Sequence, residues 1–460
     1  MAVSPGIFRQ YDIRGIVDRD LTPAVAREIG RGFAAILGQR EIAGAVAVGR
    51  DNRPSGESLR NGLVDGLTSA GLDVVDIGVV PTPLLYWSLH QLPVAAGIQI
   101  TGSHNPPEYN GFKLCIGHES LHGEGIQSLR EIIEAGGTSD GRRPGIVKPE
   151  AVIDRYVADV LARVGPLRRR LQVVIDCGNG AGALVAGQLF KGLGVDATHL
   201  FCVSDGTFPN HHPDPTIVEN LRDLIAEVAK RRADVGIAFD GDADRIGVVD
   251  DRGDIVWGDH VLILYARDVL ARTGRGQPII FDVKCSQALP DAIAAAGGQP
   301  VMWKTGHSLI KEKMKELHAP IAGEMSGHMF FSEGFYGHDD ALYAAARLLR
   351  IIAASGKLVH ELLADVPTFL ATPELRVDCA DERKFQVVAE AVRHFRGKYD
   401  VIDVDGVRVL FGDGWGLIRA SNTQPVLVTR YEARTQARLT EIRREMEDWL
   451  RAQGVEPPHD

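Results

Sequence analysis

The sequence predicts an α/β protein of four domains: three related α/β domains with mixed, largely parallel sheets, then a smaller C-terminal α+β domain. Three observations lead there. The chain has 460 residues, too many for one compact core and enough for roughly three ordinary domains. Three stretches repeat one plan of apolar strand, polar loop, Gly/Ala-rich helix and second strand. After ADVPTFLATPE (364–374) the pattern changes to alternating strands and a final charged helix, TQARLTEIRREMEDWLRAQ.

The first repeat pairs AVAVGR (45–50) with DVVDIG (73–78). The second pairs LQVVIDCG (171–178) with VDATHLF (195–201), and the third pairs PIIFDVK (278–284) with PVMWKTG (300–306). Each helix ends near a glycine (Gly71, Gly194, and Gly297 with Gly298), which supplies a left-handed cap. Continuous apolar strands alternating with helices indicate parallel sheets covered on both faces. One large doubly wound sheet would show the same alternation, but intervals of about 105 to 130 residues favour separate domains. AGGTSDGRRPGIVKPE (135–150) reads as a linker before the helix VIDRYVADVLARV, and DDRGD (250–254) as a turn closing the second unit. The expected divisions are 1–149, 150–254, 255–366 and 367–460.

Hydrophobic residues make up 45% and charged residues 24%, ordinary for a globular protein. Mean hydropathy is −0.05, and no apolar run approaches the ~20 residues that span a bilayer. The start, MAVSPGIFRQYDIRG, has no basic stretch before an apolar core, so no signal peptide is expected. Five widely spaced cysteines without a CxxC pair argue against a zinc or disulfide framework and fit a reducing cytoplasm. Lys+Arg 51 against Asp+Glu 61 gives a net charge of −10, which argues against nucleic-acid binding. A small anionic ligand would need a local cluster of cations.

Four polar loops carry chemistry. TGSHNPPEYNGFK (101–113) leaves the strand VAAGIQI and presents Ser103 and His104 before two prolines. In ADVGIAFDGDADRIGVV (233–249), two apolar strands flank Asp240, Asp242 and Asp244. Carboxylates at i, i+2 and i+4 in a tight loop can converge on a hard cation, and an oxygen-only set suits Mg²⁺ or Ca²⁺. An EF-hand does not fit, because Arg245 stands where its loop needs glycine and Asp251 where it needs glutamate. A solvated acidic hairpin is the plainer alternative. GEMSGH (323–328) places Glu324 and Ser326 between glycines, suited to gripping neighbouring sugar hydroxyls. RASNTQP (419–425) offers Arg419, Ser421, Asn422 and Thr423 as a phosphate cradle without a P-loop, or else an ordinary Asn-containing turn. Arg14 in YDIRG, Lys284 and His307 read singly as surface residues, although the latter two close strands at the edge where α/β sheets gather ligands. A loose dinucleotide fingerprint, Gly178, Gly180 and Ala183 with Asp196 downstream, suggests an NAD-dependent oxidoreductase but leaves the other loops without a task.

Together, YDIRG, TGSHNPPEYNGFK, DGDADR, GEMSGH and RASNTQPVLVTRYEA resemble the α-D-phosphohexomutases, most closely the phosphomannomutase/phosphoglucomutase subgroup. The resemblance runs from about Tyr11 to about Glu432 in the family's order. It implies four domains around a central cleft and reversible phosphoryl transfer between the 6- and 1-positions of hexose phosphates. By position, Ser103 is the implied phosphoserine, and Asp240, Asp242 and Asp244 hold Mg²⁺ with the Ser103 phosphate as a further ligand. Arg245 sits beside that phosphate, Glu324 and Ser326 bind sugar hydroxyls, and Arg419, Ser421, Asn422 and Thr423 hold the distal phosphate. Tyr11, Arg14, His104, Lys113, Lys284, His307 and His328 line the cleft, with Lys113 the preferred general acid/base. The implied intermediate and activator is a hexose 1,6-bisphosphate. The partners are small hexose phosphates, with no nucleic acid and no membrane, and the protein acts as a monomer or weak homodimer. Reorientation of the bisphosphate implies a fourth domain that swings about Pro367 to Pro373. Phosphoglucosamine is the nearest alternative substrate. A non-catalytic sugar-phosphate binder on this fold is expected to lack the serine or an aspartate, and none is missing here.

Overall fold

The computed structural model describes residues 3–137, 143–422 and 424–458. Four sheets follow one another along the chain. The first three contain the same unit. In the first it comprises Ala45–Arg50, Val74–Val79, Val94–Ile100 and Tyr109–Ile116; in the second, Gln172–Asp176, Asp196–Leu200, Val235–Phe239 and Ile246–Asp250; in the third, Pro278–Asp282, Gln299–Trp303, Ile321–Gly323 and Met329–Phe331. Numbered within each unit, the strands lie side by side in the order 4-3-1-2. The first three are parallel and the fourth runs antiparallel to the third.

The strand pairs read from the sequence are thus parallel neighbours in all three units. Helices Gly56–Ser69, Ala183–Gly192 and Ala288–Ala295 connect strands one and two. Each presents one apolar face, such as Leu59, Leu63, Val64 and Leu67, spaced for the 3.6-residue period. Gly71, Gly194 and Gly297 take positive φ just past these helices, as the cap requires, whereas Gly298 does not.

The first sheet is extended on both sides. Ile13–Ile16 pairs antiparallel with Tyr109–Ile116, and Val147–Pro149 pairs parallel with Val74–Val79. The latter strand lies in the segment read as a linker. It is exposed throughout, so no apolar alternation announces it, and its proline is tolerated on an edge. Residues 138–142 of that segment lie outside the described residues.

The fourth sheet is antiparallel throughout: Leu370–Ala371, Leu375–Asp378, Asp400–Ile402, Val407–Leu410, Gly414–Ala420 and Val426–Ala433. Helices Asp381–Arg396 and Gln436–Ala452 cover it, burying Val387, Ala391, Phe395, Ile442 and Met446 in a core of its own. A separate, larger core runs through the second and third domains and takes in Leu84, Leu85 and Trp87 of the first. Trp87 meets Tyr156 edge-on at 6.0 Å, and its indole N–H donates to Asp159.

The fourth domain docks on the third through a fully buried arginine. Arg408 donates to the Val283 and Cys285 carbonyls at 2.8 and 2.6 Å and lies over the Trp415 ring. Arg430 donates to the Lys284 carbonyl at 2.6 Å. Among the described residues, no helix is long and apolar enough to cross a membrane.

Candidate active site

In each repeated unit the turn from strand three to strand four carries one of the predicted loops. These are Thr101–Glu108, Asp240–Arg245 and Glu324–His328. Strand three points its C-terminal end at the site, and the antiparallel fourth strand carries the chain back. Polar side chains therefore emerge together from the carboxyl edges of three sheets, where α/β proteins bind ligands. The fourth domain adds the turn between Gly414–Ala420 and Val426–Ala433.

Ser103 takes φ 49°, a left-handed conformation uncommon for serine, and is 3% exposed. Its hydroxyl donates to Asp240 Oδ2 at 3.1 Å and lies 3.1 Å from His104 Nδ1. Burial, then Arg245, lowers the His104 pKa far below its usual value; the ring is neutral. The loop is held by Arg53, whose guanidinium donates to the carbonyls of Ser103, Asn105, Pro106 and Tyr109 at 2.6 to 3.0 Å and pairs with Asp51. Asp51 also accepts the Gly102 N–H at 3.0 Å and the Thr101 hydroxyl at 2.9 Å.

Asp240, Asp242 and Asp244 are fully buried, with one carboxylate oxygen of each within 4.8 Å of the others. Ala243 at φ 56° bends the loop so that the three converge. A Cβ on Gly241 would stand 2.4 Å from the Ser103 carbonyl oxygen, so only glycine lets the two loops meet. Thr82 donates to Asp242 Oδ2, which also lies 3.1 Å from the Thr101 hydroxyl, and Lys113 pairs with Asp242 at 3.1 Å and with Asp244. Asp242 Oδ1 and Asp244 Oδ1 are buried without a hydrogen-bond partner. Unpaired buried carboxylate oxygens are expensive, and this donor set fits a hard divalent cation such as Mg²⁺. Burial, then Asp244 and Asp242, raises the Asp240 pKa well above its usual value. Asp244 is held low instead: burial raises it, but the surrounding charges, the Lys113 ammonium first among them, outweigh that effect.

The third loop is tied to the second by an antiparallel bridge, Arg245 with His328, and by Ile246 N–H to the Gly327 carbonyl at 3.1 Å. Arg245 Nε donates to His328 Nε2 at 2.9 Å. That nitrogen is therefore the acceptor, and the ring proton is on Nδ1, which faces Asp339 at 3.2 Å. Glu324 is buried, accepts the Gly306 N–H at 2.7 Å, and is raised by that burial. Lys284 is drawn to Glu374 at 2.7 Å. From the fourth domain, Arg419 pairs with Asp405 at 3.0 Å, and Asn422 Nδ2 donates to the Tyr11 hydroxyl at 2.5 Å. Tyr11 in turn donates to the Thr305 carbonyl at 2.8 Å.

One cavity of about 1030 Å³ joins these groups. Tyr11, Arg14, Ser103, His104, Lys113, Asp244, Arg245, Lys284, His307, Glu324, Ser326, His328, Arg419, Ser421 and Asn422 all line it. Asp240 and Asp242 are fully buried and do not line it, and Thr423 lies outside the described residues. Residues not anticipated are Arg53, Asp51, Asp339 and Glu374. Asp51 and Asp282 occupy matching places at the ends of first strands, and each accepts a backbone N–H from its domain's loop, Gly102 or Met325. That recurrence was available in VGRD and IIFD. Nothing in the sequence pairs Asp339 with His328 or Glu374 with Lys284.

The dinucleotide fingerprint does not hold. A Cβ on Gly180 would meet the Gly241 carbonyl at 2.6 Å, so the segment is packed under the aspartate loop. Asp196 opens its strand at the amino end, away from the edge where a ribose would bind.

The phosphoglucomutase/phosphomannomutase family descriptions match the chain in four pieces: α/β/α domain I over residues 5–139, domain II over 154–253, domain III over 257–369 and the C-terminal domain over 374–448. The chain belongs to the phosphoglucomutase/phosphomannomutase family. A Pseudomonas putida phosphomannomutase/phosphoglucomutase is 47% identical over 444 residues, covering 96% of this chain and 95% of the relative. A Neisseria gonorrhoeae phosphoglucomutase is 47% identical over 444 residues, covering 96% of each. A crystal structure of a Burkholderia thailandensis phosphoglucomutase/phosphomannomutase family protein matches at TM-score 0.92 and 42% identity, over 100% of both chains. As a member of this family the chain is a phosphohexomutase, with the four-domain α/β fold expected from the sequence.

Proposed function

We propose that the enzyme transfers a phosphoryl group reversibly between the 6- and 1-positions of mannose and glucose phosphates, through a phosphoserine at Ser103 and a hexose 1,6-bisphosphate. The observation that carries this reading is the Ser103 hydroxyl, 3.1 Å from Asp240 and beside three buried, converging carboxylates. Asp240, Asp242 and Asp244 would hold Mg²⁺, which when bound neutralises charge on the phosphoryl oxygens. Arg245, oriented by His328 and Asp339, lines the same cavity as Ser103 and can bind a phosphoryl oxygen. His104, a neutral ring whose Nδ1 stands 3.1 Å from the Ser103 hydroxyl, can relay a proton there. Lys113, drawn toward Asp242 and Asp244, keeps its proton, so it suits the acid side of the proton transfer read from the sequence.

Glu324 and Ser326 would grip the sugar hydroxyls, and Arg419, Ser421, Asn422 and Thr423 the phosphate that is not being transferred. With two separate anion sites, the bisphosphate can turn end for end and present its other phosphate to Ser103. Domain divisions at 149/150, 254/255 and 366/367 put one loop in each domain, and Pro367 to Pro373 is the strap about which the fourth would swing. On the same reading the enzyme acts as a monomer or weak homodimer in the cytoplasm.

The test is turnover on mannose, glucose and glucosamine 1-phosphates, together with the intact mass of the purified protein. Mannose and glucose are expected to turn over, and the protein is expected to carry about 80 Da, one phosphoryl group, that Ser103→Ala lacks. Turnover of glucosamine phosphate alone would move the assignment to that sugar. Full activity in Ser103→Ala would overturn the serine's role.

A further inference from the structure

Two cysteines that the proposed transfer does not use touch one another beneath the aspartate loop. Cys177 follows the strand Gln172–Asp176, and Cys202 follows its parallel neighbour Asp196–Leu200, with Asp176 registered opposite Leu200. Beyond that register the backbone is left-handed at Phe201 (φ 49°), Gly178 (φ 50°) and Asn179 (φ 57°). A phenylalanine in that conformation is an outlier, and the kink turns Cys202 back onto Cys177. Their Sγ atoms lie 2.6 Å apart, about half an ångström longer than a disulfide bond. Cys202 is half-buried and Cys177 buried, so an oxidant from solvent meets Cys202 first. Their loop also braces the site: Asn179 O accepts Asn52 Nδ2 of the first domain at 2.7 Å, and Ala181 N–H donates to Gly241 O at 2.8 Å.

We infer that Cys177 and Cys202 form a reversible thiol–disulfide site whose oxidant is a hydroperoxide. The Cys202 sulfur attacks the peroxide and the O–O bond breaks, giving a sulfenic acid and an alcohol (water, from hydrogen peroxide). The Cys177 sulfur then attacks the sulfenic sulfur. The S–S bond forms, the S–O bond breaks, and the oxygen leaves as water with the Cys177 proton. The two thiols give up two electrons and the peroxide receives them; a dithiol reductant reverses the change. Contact between the sulfurs makes the second step intramolecular, which closes the disulfide before a second peroxide takes Cys202 to irreversible sulfinic acid.

The experiment exposes the folded, full-length enzyme to hydrogen peroxide, then unfolds it in N-ethylmaleimide for mass and peptide mapping. The wild type is expected to lose about 2 Da and two alkylation sites, to yield a Cys177–Cys202 cross-linked peptide, and to recover completely in dithiothreitol. Cys177→Ser is expected instead to gain about 32 Da on Cys202, a change that dithiothreitol does not reverse. The inference fails if wild-type Cys202 reaches sulfinic acid at the dose that produces it in Cys177→Ser. It fails equally if Cys202 stays alkylatable in both proteins.

Discussion

Arg53 holds the Ser103 loop with a single side chain. Four carbonyls, those of Ser103, Asn105, Pro106 and Tyr109, converge on its planar fork, and none of them could find water in that position. Replacing it strands those carbonyls and leaves Asp51 buried without its cation. Arg53→Met is expected to lower stability by about 3–5 kcal/mol in urea unfolding, and Arg53→Lys to recover little, since an ammonium cannot reach four acceptors in a plane. Ser103→Ala changes no such framework. It is expected to keep the far-UV spectrum and unfolding midpoint of the parent while turnover falls roughly 10³-fold or more. The contrast explains what could be read at this scale. Ser103, the aspartates and Arg245 stand in short runs with their partners' chemistry written beside them. Arg53 acts on backbone atoms 50 or more residues away, and backbone carbonyls leave no mark in a sequence.

The strand–turn–strand elements set distances between chemical groups. Gly241 lets the aspartate loop lie against the Ser103 carbonyl, and Gly241→Ala would push that carbonyl away by steric contact at 2.4 Å. Turnover is expected to fall about 10²-fold, the scale of a displacement near 1 Å, with far-UV spectra unchanged. The unpaired oxygens of Asp242 and Asp244 predict a second result. EDTA is expected to abolish turnover and Mg²⁺ to restore it, and at roughly 100 times its Kd Mg²⁺ is expected to add about 2.7 kcal/mol to stability. Asp242→Asn should lose that added stability. The elements themselves were largely legible, because buried parallel strands are continuous apolar runs and their helices end on glycines. Val147–Pro149 escaped because an exposed edge strand is held by backbone pairing alone, and its side chains face solvent on both sides.

Across the whole molecule, the first three domains are joined by a shared core and by bonds between their loops, while the fourth keeps a core of its own. Its attachments to the third include Arg408, Arg430, the Lys284–Glu374 pair, the Gln287 and Thr305 N–H groups donating to Glu432 and Asp405, and a small apolar cluster of Val283, Trp415 and Leu417. The Glu374 carboxyl is held at about 2 rather than 4.5, because Lys284, with Arg419 and Arg430, outweighs the effect of its burial. A carboxyl held below its unfolded value contributes stability that is fully present above pH 4.5 and is lost as the pH falls toward 2. Glu374→Gln is expected to flatten the acid limb of the stability profile over that interval and to speed amide exchange in Leu370–Asp378 at neutral pH. Any swing of the fourth domain about Pro367 to Pro373 would have to keep or replace the buried hydrogen bonds of Arg408. The Arg245–His328 bridge and the Thr82–Asp242 bond give the first three domains the character of a fixed jaw; the proposed phosphate cradle on the fourth would be a sliding one. On the proposed function, discrimination among sugar hydroxyls would belong to the fixed jaw, and tolerance for a substrate presented either way round to the sliding one.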